Sequence, residues 1–167
     1  IDVEIKRIAA GEQASSAYAL ALAASRELQD ATELLQIRAA RERFERALAL
    51  EPGHVPALTG YAHALAFEAD RIEPGAPREG LLARADEVSL RAVTLQTDNA
   101  EAWGARANVL LFRNRIDAAF EAIQRALELN PYLITVQSFS GQIYMAQGRG
   151  EAALAAFDRG IELNPTS

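Results

Sequence analysis

Apolar residues return along this chain in one phrase written four times: ERALALEP at 45–52, LRAVTLQT at 90–97, QRALELNP at 124–131 and DRGIELNP at 158–165. The ends of the last three phrases lie 34 residues apart, whereas the first two are separated by 45, so one early unit carries eleven extra residues. A period of 34 with apolar positions three and four apart belongs to paired helices stacked in a row. No such pair can bury its apolar stripe alone, so each must lean on the next.

The pattern divides the chain into a leading helix at 1–11 and units at 12–54, 55–99, 100–133 and 134–167. Val3, Ile5 and Ile8 share one side of the leading stretch, and Gly11 stands where a helix would stop. In the first unit the helices are expected over Ala14–Gln29 and Ala31–Leu50, with Asp30 and Glu33 as a capping box. In the second, ADRIEPGAPREG at 69–80 holds two prolines and two glycines and reads as an insertion between the helices. Asp98 with Glu101 repeats the capping spacing before the third unit. The fourth turns at Gly148, with Glu151 in the following first turn.

Composition supports an all-α chain: half of the residues are hydrophobic, alanine and leucine dominate, and aromatics make up 7 %. A net charge of −6 argues against nucleic acid and anionic membranes, both of which ask for a surplus of Lys and Arg. Without cysteine there is no disulfide framework, and no apolar run approaches the roughly 20 residues that span a bilayer. The chain starts at Ile1 without an initiator methionine or signal-peptide pattern, and reads as a piece of something longer or a processed product. Cytoplasmic residence is favoured, with the periplasm as the alternative.

The units resemble the tetratricopeptide repeat family. In the third, Trp103, Ala107, Leu110, Ala119, Ile123, Ala126 and Pro131 fall on the family pattern; in the fourth, Gly141, Tyr144, Ala153, Phe157, Gly160 and Pro165 do. The second supplies Leu58, Tyr61, Ala62, Leu65, Ala85, Ser89 and Ala92, and the first Leu20, Ala24, Ala40, Phe44, Ala47 and Pro52. Thr97 departs from the closing proline, Arg106 and Ser140 stand where an apolar residue is usual, and Gln137 replaces the aromatic that Trp103 supplies. Arg106 is either a ligand contact or an arginine that snorkels or pairs with a carboxylate. The resemblance implies a right-handed α-solenoid of antiparallel helix pairs, about four repeats plus a short N-terminal helix. The first unit, with a longer inter-helix link, is also similar to the repeat region of bacterial adenylate/guanylate cyclase-like and winged-helix signalling proteins. Sixteen arginines against the single Lys6 suit a GC-rich bacterial genome.

No catalytic constellation is present: His54 and His63 lack the spacing of a helical zinc pair, and phosphate-loop, Gly-x-Ser-x-Gly and HExxH motifs are missing. The segment is read as non-enzymatic, without cofactor or metal. Its candidate chemistry lies in rows down the inner wall that solenoids of this kind form. His63, Asn108 and Gln142 occupy one place in successive units, with Ser25 as their counterpart. Thr59, Gly104 and Ser138 form a second row, and Phe67, Phe112 and Ala146 a third. A carboxamide donates and accepts at once, so such a groove suits a peptide with apolar anchors; the plainer reading is a solvated polar face. Thr59, His63, Glu101, Ala105, Asn108 and Ser138 replace the Lys and Arg with which members of this family clamp chaperone C-termini. The implied function is protein–protein interaction, as the regulatory or scaffold region of a larger bacterial signalling protein. The alternatives are an envelope or pilus assembly factor, or the non-catalytic part of a cyclase or glycosyltransferase. Ala152, Leu154, Ala155, Phe157 and Ile161 leave the last helix uncapped, which implies a homodimer through the ends.

Overall fold

The computed structural model describes residues 2–163, with side chains from Ser15 onward. Among the described residues there are eight α-helices: α1 (Asp2–Gln29), α2 (Leu34–Leu50), α3 (Val55–Asp70), α4 (Ala76–Leu95), α5 (Ala100–Phe112), α6 (Ile116–Leu129), α7 (Ile134–Ala146) and α8 (Gly150–Leu163). Each odd helix packs on the even helix that follows, and α2, α4 and α6 each pack on the next odd one. The odd helices also touch one another in succession, while no two even helices meet among the described residues. The odd helices therefore form the inner layer of an α-solenoid and the even helices its outer layer.

The local signals repeat with the period. Each of the first three outer helices closes when the residue after it donates its backbone N–H four residues back: Glu51 to Ala47 at 2.9 Å, Gln96 to Ala92 at 3.1 Å, Asn130 to Ala126 at 2.9 Å. Asn114 and Gly148 end α5 and α7 in the left-handed region, at φ 56° and 73°, which asparagine and glycine enter at little cost. Trp103 Nε1 donates to the Thr97 carbonyl at 2.9 Å, and one repeat later Gln137 Nε2 donates to that of Pro131 at 2.6 Å. The replacement of tryptophan by glutamine thus keeps the bond that ties a helix start to the preceding unit. Buried Ser140 donates its hydroxyl proton to the Gln137 carbonyl at 2.8 Å.

Several boundaries differ from the sequence expectation. α1 runs unbroken through Gly11, because one interior glycine costs only about 1 kcal/mol among good helix formers. The link of the first unit is short, residues 30–33, and its cap is set later in the chain: Gln36 Oε1 accepts from the backbone of Thr32 and Glu33 at 2.8 and 2.9 Å. Before α5 the capping side chain is Asn99, accepting from Ala102 N at 3.0 Å, rather than Asp98. Only residues 71–75 of the segment 69–80 form a link, since α3 continues to Asp70 and α4 begins at Ala76 with Pro77 in its first turn, where a missing N–H costs nothing. Nine of the eleven extra residues lengthen the helices, 16 residues in α3 against 13 in α5 and 20 in α4 against 14 in α6, and the other two lengthen the link. The side chains of Val3, Ile5 and Ile8, and Pro165 as a whole, lie outside the described residues.

The core depends on large residues seated against small ones. A methyl group added at Gly60 would fall inside the Phe44 ring, and one at Gly141 inside the Phe157 ring. Phe44 is fully buried in a cluster rich in alanine, so its ring cannot retreat without opening the interior. Gly60→Ala is expected to destabilise the chain by about 1–3 kcal/mol in urea denaturation. Adding Phe44→Leu should recover part of that loss, and additive losses would show that the contact is not what couples the units.

Candidate functional site: the inner groove

His63 sits on α3 with its ring between two others. The Phe67 centroid is 5.8 Å away with the planes 22° apart, and the Phe139 centroid is 5.2 Å away at 25°. Phe67 meets Phe112 of α5 edge-on at 6.4 Å. Beneath them Asn108 is fully buried, and its Nδ2 lies 3.1 Å from His63 Nδ1. The contact ties the Asn108 carboxamide to the imidazole, and which of the two donates depends on the tautomer of His63. Burial pushes the pKa of His63 from 6.5 to about 4.

Ser25, Thr59, His63 and Phe67 open onto one cavity of about 260 Å³ between α1, α3, α5 and α7, which Leu28, Glu101 and Phe139 also line. The Thr59 residue is 8 % exposed, and its hydroxyl has no hydrogen-bond partner. Asn108 Oδ1 is likewise buried without a partner. Glu101 is the one acidic side chain in the lining.

The expected polar ladder is therefore broken. Ser25 and His63 share the cavity and Asn108 holds His63 from below, but Gln142 is exposed and neither it nor Ser138 lines the hollow. Phe112 reaches the cluster only through Phe67. Phe139 is what intervenes. It occupies the place of Gly60 and Ala105 in the earlier units, and its ring crosses from α7 over α5 to lie on His63. Phe139 belongs to none of the rows expected from the sequence; its signal there is a single large residue in a column of small ones.

A larger hollow of about 360 Å³ lies on the outer side between α2, α3 and α4. Its polar groups answer one another: Tyr61 donates to Glu45 Oε1 at 2.7 Å, and Arg84 Nη1 to Glu87 Oε2 at 2.7 Å. Burial, then the bond to Glu45, raises the Tyr61 pKa, with Arg84 opposing. Arg106 is structural. Its Nη1 donates to the Asp86 carbonyl at 2.9 Å and Ser89 Oγ at 3.1 Å and pairs with the Asp86 carboxylate, filling the space that Ser89 leaves where other units place Phe44 or Ile123. Among the described residues no cluster of His, Cys, Asp or Glu could hold a metal ion, and no helix is long and apolar enough to cross a membrane.

His63 links the groove to pH. The folded chain holds it near 4 and the unfolded chain near 6.5, so its contribution to stability is whole above about pH 6.5 and is lost as the pH falls towards 4. Denaturation midpoints across that window should fall less steeply for His63→Gln, whose carboxamide can still hydrogen-bond to Asn108. Equal slopes would show that His63 is not buried neutral.

No curated protein matches the chain. Its fold is similar to that of a thermophilic tetratricopeptide repeat protein of Thermus thermophilus, at 22% identity and a TM-score of 0.75 over 90% of this chain and 75% of that one. It is similar also to pilF of Pseudomonas aeruginosa, at 18% identity and a TM-score of 0.66 over 93% and 64%. The first tetratricopeptide repeat domain of human RPAP3 gives 18% and 0.61 over 83% and 97%. Identities this low establish a shared fold. Residues 100–132 and 136–167 each match the tetratricopeptide repeat family model, so the third and fourth units are tetratricopeptide repeats in sequence, and the two before them continue the same α-solenoid.

Proposed function

We propose that the chain is a docking module that binds a segment of another protein on its inner face, through the cavity of Ser25, Thr59, His63 and Phe67. One observation carries this reading: the inner face holds a hollow of about 260 Å³ walled by Phe44, His63, Phe67 and Phe139, apolar surface that a partner's side chain would remove from water. Ser138 and Gln142 lie further along the same face and would contact only a longer partner. Asn108 acts through the His63 ring, so Asn108→Ala perturbs the groove from beneath rather than removing a contact. The reading includes a role as the regulatory or scaffold region of a larger bacterial signalling protein. A second reading, an envelope or pilus assembly factor, has the shared fold with pilF in its favour.

A photocrosslinking residue placed at exposed Thr135, on the cavity rim, should capture the partner in cells, whereas one at exposed Leu90 on the outer layer should not. Capture from Leu90 alone would move the docking surface to the other face.

Self-association through the last helix belongs to the same proposal. Leu154 and Ile161 are 62 % and 59 % exposed, while Phe120 and Leu127, one repeat earlier, pack partly buried against the core. A second copy could cover them as α7 covers α6. The mass measured by light scattering should rise with concentration and cease to do so in the double variant Leu154→Glu, Ile161→Glu; a constant mass in the parent chain removes this part.

A further inference from the structure

Phe139 holds a place on α7 whose counterparts in the second and third units are Gly60 and Ala105. A ring fits there only by leaving the column, because Ile123 behind it is fully buried and packed in the same cluster. It comes to lie on the imidazole of His63, with the centroids 5.2 Å and the planes 25° apart. That position ends the hollow. Leu28, Phe44, His63 and Phe67 wall the rest of it, whereas Ser138 beside Phe139 and Gln142, one turn further along α7, take no part. Gln142 holds the same repeat position as His63 and Asn108 and is exposed. The ring therefore stands between an apolar hollow and an open polar stretch of one inner face.

Resting on the reading of the inner face as the docking surface, we infer that Phe139 determines which partners that surface accepts, its ring capping His63 and keeping Gln142 outside the footprint of a bound segment. With the ring in place, a segment is read by the one large side chain that a hollow of about 260 Å³ admits. With a smaller residue there, the hollow joins the stretch beyond it, and the Gln142 carboxamide, which donates and accepts at once, becomes a second reading position. Glycine and alanine already stand at this place in the earlier units, so the fold itself does not demand a ring.

Two variants of the whole chain test this. Phe139→Ala removes the ring, while Phe139→Leu keeps bulk in the core and is too short to cover His63. Circular dichroism melts check that the helices persist, and Phe139→Leu carries the test where Phe139→Ala does not fold. Diethyl pyrocarbonate, which acylates a neutral imidazole, reads the cap with no partner present. Followed by mass spectrometry against His54 in the same chain, His63 should react slowly in the parent and several-fold faster in the variants. An unchanged rate would overturn the cap. A random peptide library displayed on phage, panned in parallel against parent and variant, then reads the specificity. Peptides from the parent should bind Gln142→Ala as they bind the parent. Those from the Phe139 variant should bind about tenfold more weakly once Gln142→Ala is added to it. Equal effects of Gln142→Ala in the two backgrounds would overturn Phe139 as the determinant, as would peptides that exchange freely between parent and variant. Parent peptides indifferent to both His63→Gln and Phe67→Ala would instead overturn the docking surface and leave the acylation result standing.

Discussion

The solenoid depends on how closely each outer helix can approach the inner helix of the next unit. Phe44 on α2 approaches α3 only because Gly60 has no side chain. The same sixteen-residue relation recurs as Ser89 with Ala105 and as Ile123 with Phe139, and each solution differs. Where Ser89 is too small, the Arg106 guanidinium occupies the gap and brings Asp86 with it. Where Ile123 already fills the seat, the Phe139 ring is sent inward and comes to rest on His63. The packing of the wall and the shape of the groove are therefore one problem: a substitution in the column that joins the units reappears on the binding face.

A second constraint sets the order of the units. Buried Glu68 of α3 is held by Arg38 Nε at 2.8 Å and Arg41 Nε at 2.9 Å from α2. One unit further on, the positions equivalent to Arg41 and Glu68 are Asp86 and Arg113, and the pair re-forms at 3.5 Å with its polarity reversed. Neither pair adds much stability once desolvation is counted. Its effect is on alternatives. Setting α2 against α5 would face Arg41 with Arg113. Like-charge repulsion in that wrong stack thereby helps to keep units of such similar outline in sequence.

The period, the helix pairs and the positions of the small and large core residues were legible in the sequence because they are imposed locally and then repeated: Ala62, Ala107 and Gly141 recur at the interval that places them on one stripe. Helix ends were less legible. Asp98 and Asn99 are both good caps, and only the register of the packed helix selects Asn99. The segment 69–80 looked like a loop since prolines and glycines mark breaks, yet Pro77 is harmless in a first turn and Gly80 is tolerated inside α4. Of the groove, Thr59, His63 and Phe67 could be aligned with the later units by arithmetic alone. Arithmetic assumes that each inner helix shows the same face to the same neighbour, and Phe139, reaching past α5 to α3, breaks that assumption.

That reach also decides what kind of surface the inner face is. An uninterrupted trough lined by carboxamides would bind extended chains through their backbones, with little regard for sequence. Here the carboxamide of Asn108 is spent on His63, and two aromatic rings cover the imidazole. Burial keeps His63 neutral, and the hollow has no cation of its own to offset Glu101. The polar ladder is thereby converted from a set of contacts into a support for a wall. What the wall encloses is one apolar hollow with one carboxylate at its rim, so discrimination between partners falls on the side chain that fills the hollow and its nearest charge.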